Sequence, residues 1–297
     1  MINQPEITIE WIENVSRKTK KADKILVEKV IRALLLLEGL VKQDLSFVFK
    51  GGTALMLHIN SSKRLSIDID IIIPDKPVNL DKTLEAVAEE QGFHRKELQV
   101  RTTTSNIEKE HYQFFYTPIH QSNLTEDYIL LDILFEKVNY SHLESLSIES
   151  HFIPMLDKPL EVVVPSLEDL LGDKLTAFAP NTTGIPYFKN KKSMSMEIIK
   201  QLYDIGNLVD KIQDIDAIRT TFFRFAESEI KYRSQFNYTP ETVLDDIYQT
   251  SLCIVTRGKE GKGNFEELQK GIQRIKNYIF SESYYIDKVI THASKAA

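Results

Sequence analysis

The sequence predicts an α/β chain of the α+β kind: a mixed sheet with flanking helices over residues 1–160, then an α-helical domain over residues 161–297. Two observations carry this prediction. Up to about residue 160, short β-branched runs alternate with segments of helical periodicity; from Pro165 onward the apolar residues recur almost entirely at helical spacing.

In order along the chain, residues 20–43 form a predicted helix, with Ile25, Val30, Ile31, Leu34, Leu35 and Leu37 spaced among charged residues. Residues 47–49 are a short apolar strand stopped by Gly51-Gly52, and a helix starts at Thr53. After the polar Ser61-Ser62-Lys63 comes the β-branched run 66–73, ended by Pro74. Residues 80–91 suit a helix; 98–104, 112–117 and 128–135 suit strands. Ser166, with Asp169 three residues on, has the spacing of a capping box and opens a helix over 167–178. Residues 180–194 read as a loop that carries Lys189, Lys191 and Lys192. Helices follow at about 195–210, 215–232, 240–255 and 264–280, with a Gly- and Lys-rich loop, 257–264, before the last. No internal repeat is present.

Composition excludes several classes. Apolar residues at 42% and charged residues at 27% are the balance of a globular protein, and 11 Gly with 10 Pro leave no low-complexity design. A single Cys rules out a disulfide framework and a thiolate zinc cluster, and suits a reducing cytoplasm. The N-terminus lacks the pattern of a signal peptide, and the richest apolar run, 30–41, is interrupted by Arg32 and Glu38, so no membrane span is expected. A net charge of −6 argues against a broad nucleic-acid-coating surface and leaves room only for a local basic patch.

The chemistry lies in the acids on predicted strands. Asp68 and Asp70 are two apart in an apolar run, so both leave one face, about 7 Å apart at Cα. They repel each other and resist burial unless a divalent cation such as Mg²⁺ sits between them; the plain alternative is a sheet with one wet face. Gly51-Gly52 between strand and helix lets a phosphate approach the backbone at the positive end of a helix, with Lys50 and Thr53 supplying a cation and a hydroxyl. Asp132 is the only charge in the run 128–135. Its expected partner is the same metal, or else a buried Lys or Arg.

The segments Lys50-Gly51-Gly52-Thr53-Ala54-Leu55 and Arg64-Leu65-Ser66-Ile67-Asp68-Ile69-Asp70 resemble the signature of the AbiEii/AbiGii toxin nucleotidyltransferases, within the DNA polymerase β-like superfamily. The resemblance continues at 170–175 and 200–205, in the family's order, and carries no motif beyond residue 210. It implies a nucleotidyltransferase domain that uses Mg²⁺ to move a nucleotide from an NTP to an acceptor, in several members tRNA. Such a protein is the toxin of a bacterial toxin–antitoxin or phage-defence pair with a separately encoded antitoxin. On the matching positions it implies Asp68, Asp70 and Asp132 as metal ligands, Lys174 and Asp204 as further catalytic groups, and Lys50, Gly51, Gly52, Thr53, Arg64 and Ser66 around the phosphates. The fourth block has Gln201 where the family usually has an acid, and the 180–194 loop lengthens the gap before it.

Lys174 also stands out on geometry. A helical step of about 100° puts Leu167, Leu171, Lys174 and Phe178 on one face and turns Asp169 and Asp173 away from it. A core-directed Lys needs an anion, either a carboxylate such as Asp132 or nucleotide phosphate, unless its head snorkels to water. Asp204 lies one turn after Lys200, a spacing that by itself reads as a surface ion pair; the resemblance instead implies a general base or Lys-positioning group. Arg64 either binds a phosphate or flanks a turn. His111, His120, His142 and His151 show no metal-ligand spacing. The expected reaction is attack of an acceptor hydroxyl, preferably of tRNA, on the NTP α-phosphate. The rivals are a small-molecule or protein acceptor, and a catalytically silent nucleotide-binding protein.

Overall fold

A computed structural model describes residues 1–59, 64–99, 108–120, 124–235 and 237–297. Ser61-Ser62-Lys63 and most of the strand expected over 98–104 lie outside them. The described chain packs as two compact units: Met1–Val138 with Leu143–Pro165 and Tyr278–Ser281, and Asn139–His142 with Ser166–Asn277 and Glu282–Ala297.

The first unit opens with α1 (Ile9–Lys18), which begins where the Thr8 hydroxyl accepts from the Trp11 N–H, and which the sequence did not announce. Lys20 and Lys21 have positive φ, so α2 (Lys24–Lys42) starts later than expected, where the Asp23 carboxylate accepts from Ile25 and Leu26 N–H. This helix is apolar on nearly all sides, with Leu34 to Leu37 buried, as befits the centre of a core. Its buried acids are committed to backbone: Glu28 accepts from Ile119 N at 2.9 Å and His120 N at 3.1 Å, and Glu38 from Ile2 N at 2.7 Å. These carboxylates tie chain segments to the core and belong to no site.

Next come β1 (Val48–Lys50), α3 (Gly51–Ile59), β2 (Ile69–Ile72), α4 (Leu80–Glu90), β3 (Arg95–Leu98), β4 (Glu108–Tyr116) and β5 (Asp127–Phe135). The strands form one mixed sheet in the order β1-β2-β5-β4-β3, parallel only between β2 and β5. The predicted run 66–73 enters the ladder only at Ile69, so Asp68 stands just before the strand. A separate antiparallel pair, β6 (Leu143–Ser147) and β7 (Glu161–Pro165), completes this unit; neither strand shows a clean apolar alternation, and β7 runs past the expected boundary at residue 160.

The second unit is helical: α5 (Leu167–Ala177), α6 (Ser195–Leu208), α7 (Ile215–Tyr232), α8 (Pro240–Val255), α9 (Phe265–Ile275) and α10 (Ile286–Ala296), the last not foreseen. The 180–194 loop contains a hairpin of β8 (Phe188–Lys189) and β9 (Lys192–Ser193). Asn190 and Lys191 both have positive φ, the signature of a two-residue type I′ turn. The loop's start is tied to α8, because the Asp246 carboxylate accepts from Asn181 N and Thr182 Oγ1, each at 2.8 Å. Among the described residues, no helix is long and apolar enough to cross a membrane.

Candidate active site

In the first unit one row of side chains crosses four strands. Lys50 of β1 is the register partner of Asp70 of β2; Asp70 partners Asp132 of β5, and Asp132 partners His111 of β4. Register partners project to the same face, so a cation, two acids and an imidazole lie side by side across the sheet. Neighbouring strands are about 4.8 Å apart. The closest acids by backbone placement are therefore Asp70 and Asp132, not the Asp68 and Asp70 of the sequence pattern. The His111 Nδ1 lies 2.7 Å from the Asp132 Oδ1. A carboxylate only accepts, so Nδ1 carries the proton of this bond.

The turn from β1 into α3 has no intervening loop, and Gly51 makes it sharp. Its φ is +80°, and a Cβ there would sit 2.2 Å from the Asp70 Oδ2. The Asp70 carboxylate thus lies directly over the glycine. At Gly52 a Cβ would fall 2.6 Å from the Ser66 Oγ and 2.8 Å from the Arg64 Nη2. Arg64, only 8% exposed, donates from Nη1 to the Leu65 carbonyl at 3.1 Å, while Leu65 N donates to Tyr278 O at 2.8 Å. Gly51, Gly52, Arg64, Ser66 and Asp70 are therefore packed into one corner, with Lys50 at its edge. Gly51→Ala should cost about 1–2 kcal/mol in backbone strain alone. It should also displace the Asp70 carboxylate, so turnover is expected to fall further than the melting temperature implies; an active, fully stable variant would contradict this placement.

Thr53 takes a different part from the one expected. It is fully buried, and its hydroxyl donates to the Asp68 carbonyl at 2.6 Å. It fixes the backbone of the acid instead of presenting a hydroxyl to phosphate. Among the described residues no three His, Cys, Asp or Glu side chains are grouped so as to hold a metal ion. Asp68, Asp70 and Asp132 are thus not a closed ligand set. Mg²⁺ commonly takes one or two carboxylates and completes its octahedron with water and substrate phosphates, so the hard oxygens of Asp70 and Asp132 suit it.

In the second unit the Lys174 Nζ donates to the Asp204 Oδ2 at 2.8 Å, with the two side chains 6% and 5% exposed. The anion that Lys174 needs is Asp204, not Asp132. Lys200 pairs with Glu197 at 3.2 Å, and Asp204 is buried, not on the surface. The Tyr284 phenol is pushed well up by burial, with the charges of Tyr203, Glu282 and Asp204 adding to the effect. Asp169 also departs from expectation. It is fully buried and accepts from Ser141 N at 2.9 Å, His142 N at 2.7 Å and the Ser166 and Thr221 hydroxyls, so it clamps the start of α5. Its neighbour Asp173 accepts from the Tyr140 hydroxyl at 2.6 Å.

Sequence reasoning missed His111. Its only local signal was a polar ring among the aromatic and charged residues 110–115; the pairing register that sets it beside Asp132 is a long-range property.

Three kinds of comparison bear on the chain. No curated protein sequence matches it significantly. Among solved structures it is similar to JHP933 from Helicobacter pylori, at 14% identity and a TM-score of 0.49, covering 91% of this chain and 88% of that one. It is also similar to MenT4, a nucleotidyltransferase toxin from Mycobacterium tuberculosis, at 15% identity and a TM-score of 0.46, covering 96% and 89%. Both scores lie below 0.5, and family membership rests on sequence alone. Residues 35–270 match the model described as nucleotidyl transferase AbiEii toxin, type IV toxin–antitoxin system, a span that includes the β1–α3 corner, the acid row and the Lys174–Asp204 pair. The chain belongs to the AbiEii family of nucleotidyl transferase toxins.

Proposed function

We propose that this nucleotidyltransferase moves a nucleotide from an NTP to a hydroxyl of RNA, specifically tRNA, and that a separately encoded antitoxin restrains it in the cytoplasm. The observation that carries the chemistry is the register row Lys50–Asp70–Asp132, set against the Gly51-Gly52 corner. The acceptor oxygen bonds to the α-phosphorus as the α–β bridging P–O bond breaks and pyrophosphate leaves; the hydroxyl proton passes to a carboxylate of the row. Asp70 and Asp132, with Asp68 beside them, would hold Mg²⁺, which when bound neutralises the charge developing on the phosphates and lowers the acceptor hydroxyl's pKa. The Gly51-Gly52 turn, at the positive end of α3, would receive the phosphate oxygens. Lys50 and Arg64 supply countercharge and Ser66 a hydroxyl; Lys174, held by Asp204, is a further catalytic group that the family resemblance implies.

The test of the acceptor is incubation with each labelled NTP, Mg²⁺ and total tRNA, followed by separation of RNA, protein and small molecules. Label in RNA supports the proposal. Label in the protein or small-molecule fraction assigns the activity to a different acceptor, and binding without turnover under every NTP identifies a silent binding protein.

The hairpin of the second unit offers a further check. Lys189, Lys191 and Lys192 are all exposed on this hairpin. If they meet RNA phosphates, replacing all three with Gln reduces the slope of log affinity against log salt by roughly 2–3, about 0.7–0.9 for each phosphate no longer neutralised. NTP affinity stays unchanged. An unaltered slope makes the hairpin a solvated surface.

A further inference from the structure

Among the described residues, His111 is the only hydrogen-bond partner of the Asp132 side chain, at 2.7 Å from Nδ1 to Oδ1. The imidazole is well covered, its side chain 14% exposed against 32% for Asp132. It comes from β4, on the flank of β5 away from Asp70, so Asp132 stands between the imidazole and the other acid in the row. A carboxylate fixed through one oxygen keeps its second oxygen for a cation or a reacting group. Hydrogen bonds of this kind orient metal-binding side chains and set how well they bind.

We propose that His111 is a positioning residue of the transfer reaction: its Nδ1–H holds the Asp132 carboxylate in the orientation that binds the divalent cation. This rests on the metal reading of Asp70 and Asp132. The ring contributes through one N–H at a fixed place, and that is what distinguishes orientation from simple packing. An Asn at position 111 presents an N–H close to where Nδ1 lies, whereas a Gln places its amide nearer the position of Nε2. Both are neutral and polar, so they differ mainly in where the donor sits.

The experiment compares wild type, His111→Asn, His111→Gln and Asp132→Asn. Mn²⁺ binding without nucleotide is followed by electron paramagnetic resonance, and kcat and KM for NTP are measured, all on the whole 297-residue chain. Expected is a fall in Mn²⁺ affinity and in kcat of roughly 10–100-fold for His111→Gln, with KM for NTP within about threefold. His111→Asn should recover most of both, and melting curves of the two variants should agree. Equal Mn²⁺ affinity in wild type and His111→Gln, or a His111→Asn variant no better than His111→Gln, overturns the positioning role. Mn²⁺ binding that survives Asp132→Asn overturns the metal reading itself, and the role of His111 falls with it.

Discussion

Lys174→Met is expected to destabilise the helical unit by about 3–5 kcal/mol, because it removes the ammonium that a buried carboxylate accepts from. Lys174 and Asp204 lie 2.8 Å apart and are almost wholly withdrawn from water. Methionine keeps the stem and its packing, so the loss reports on charge and not on a cavity. The double variant Lys174→Met with Asp204→Leu removes both charges and should recover most of the melting temperature, since apolar replacement of a buried ion pair is often neutral. Stability and catalysis then separate. If the ammonium also meets nucleotide phosphate, the stabilised double variant remains about 10²–10³-fold slow, the loss expected when a preorganised charge-assisted interaction is removed. A double variant that regains both stability and turnover confines Lys174 to the fold.

The second large effect is at the acid row. Asp70→Asn and Asp132→Asn each remove a negative oxygen with little change of shape, and each should lower kcat on the order of a thousandfold or more, several kcal/mol of lost charge stabilisation. Asp132→Asn has a second consequence: the His111 Nδ1–H then faces an amide in place of a carboxylate. Both variants should still melt cooperatively, since they lie on one face of a sheet whose other face carries the buried Ile69, Ile71, Leu131 and Ile133. Activity near that of wild type in either variant would remove the row from the mechanism.

Much of the molecule was legible in the residues because its signals are local. The β-branched run around Asp70, the apolar run around Asp132, the glycine pair and the helical periodicity after Pro165 all mark elements that form where expected. The Ser166 cap forms as its spacing implies, the hydroxyl accepting from the Asp169 N–H. What escaped depends on long-range pairing. The i, i+2 spacing joined Asp68 to Asp70, and the lone charge of Asp132 pointed to the same site without saying which acid it stands beside; the parallel pairing of β2 with β5 makes that Asp70. Helical geometry put Lys174 toward the core, but only the family resemblance offered Asp204, which comes from another helix, as the group that holds it. Asp169 seemed to face away from the apolar stripe, because nothing local announced that the backbone of residues 141–142 returns to its carboxylate. Thr53, a phosphate ligand by family resemblance, is consumed by the Asp68 carbonyl.

The most direct test of the acid row as a nucleotidyl-transfer site follows two positions of label in one NTP. Wild type and Asp70→Asn are incubated with tRNA and Mg²⁺, once with the α-phosphate labelled and once with the γ-phosphate. The account predicts α-label in the RNA and γ-label released as pyrophosphate by wild type, and neither by Asp70→Asn. Transfer of the γ-label to RNA, or equal α-label incorporation by Asp70→Asn, would contradict it.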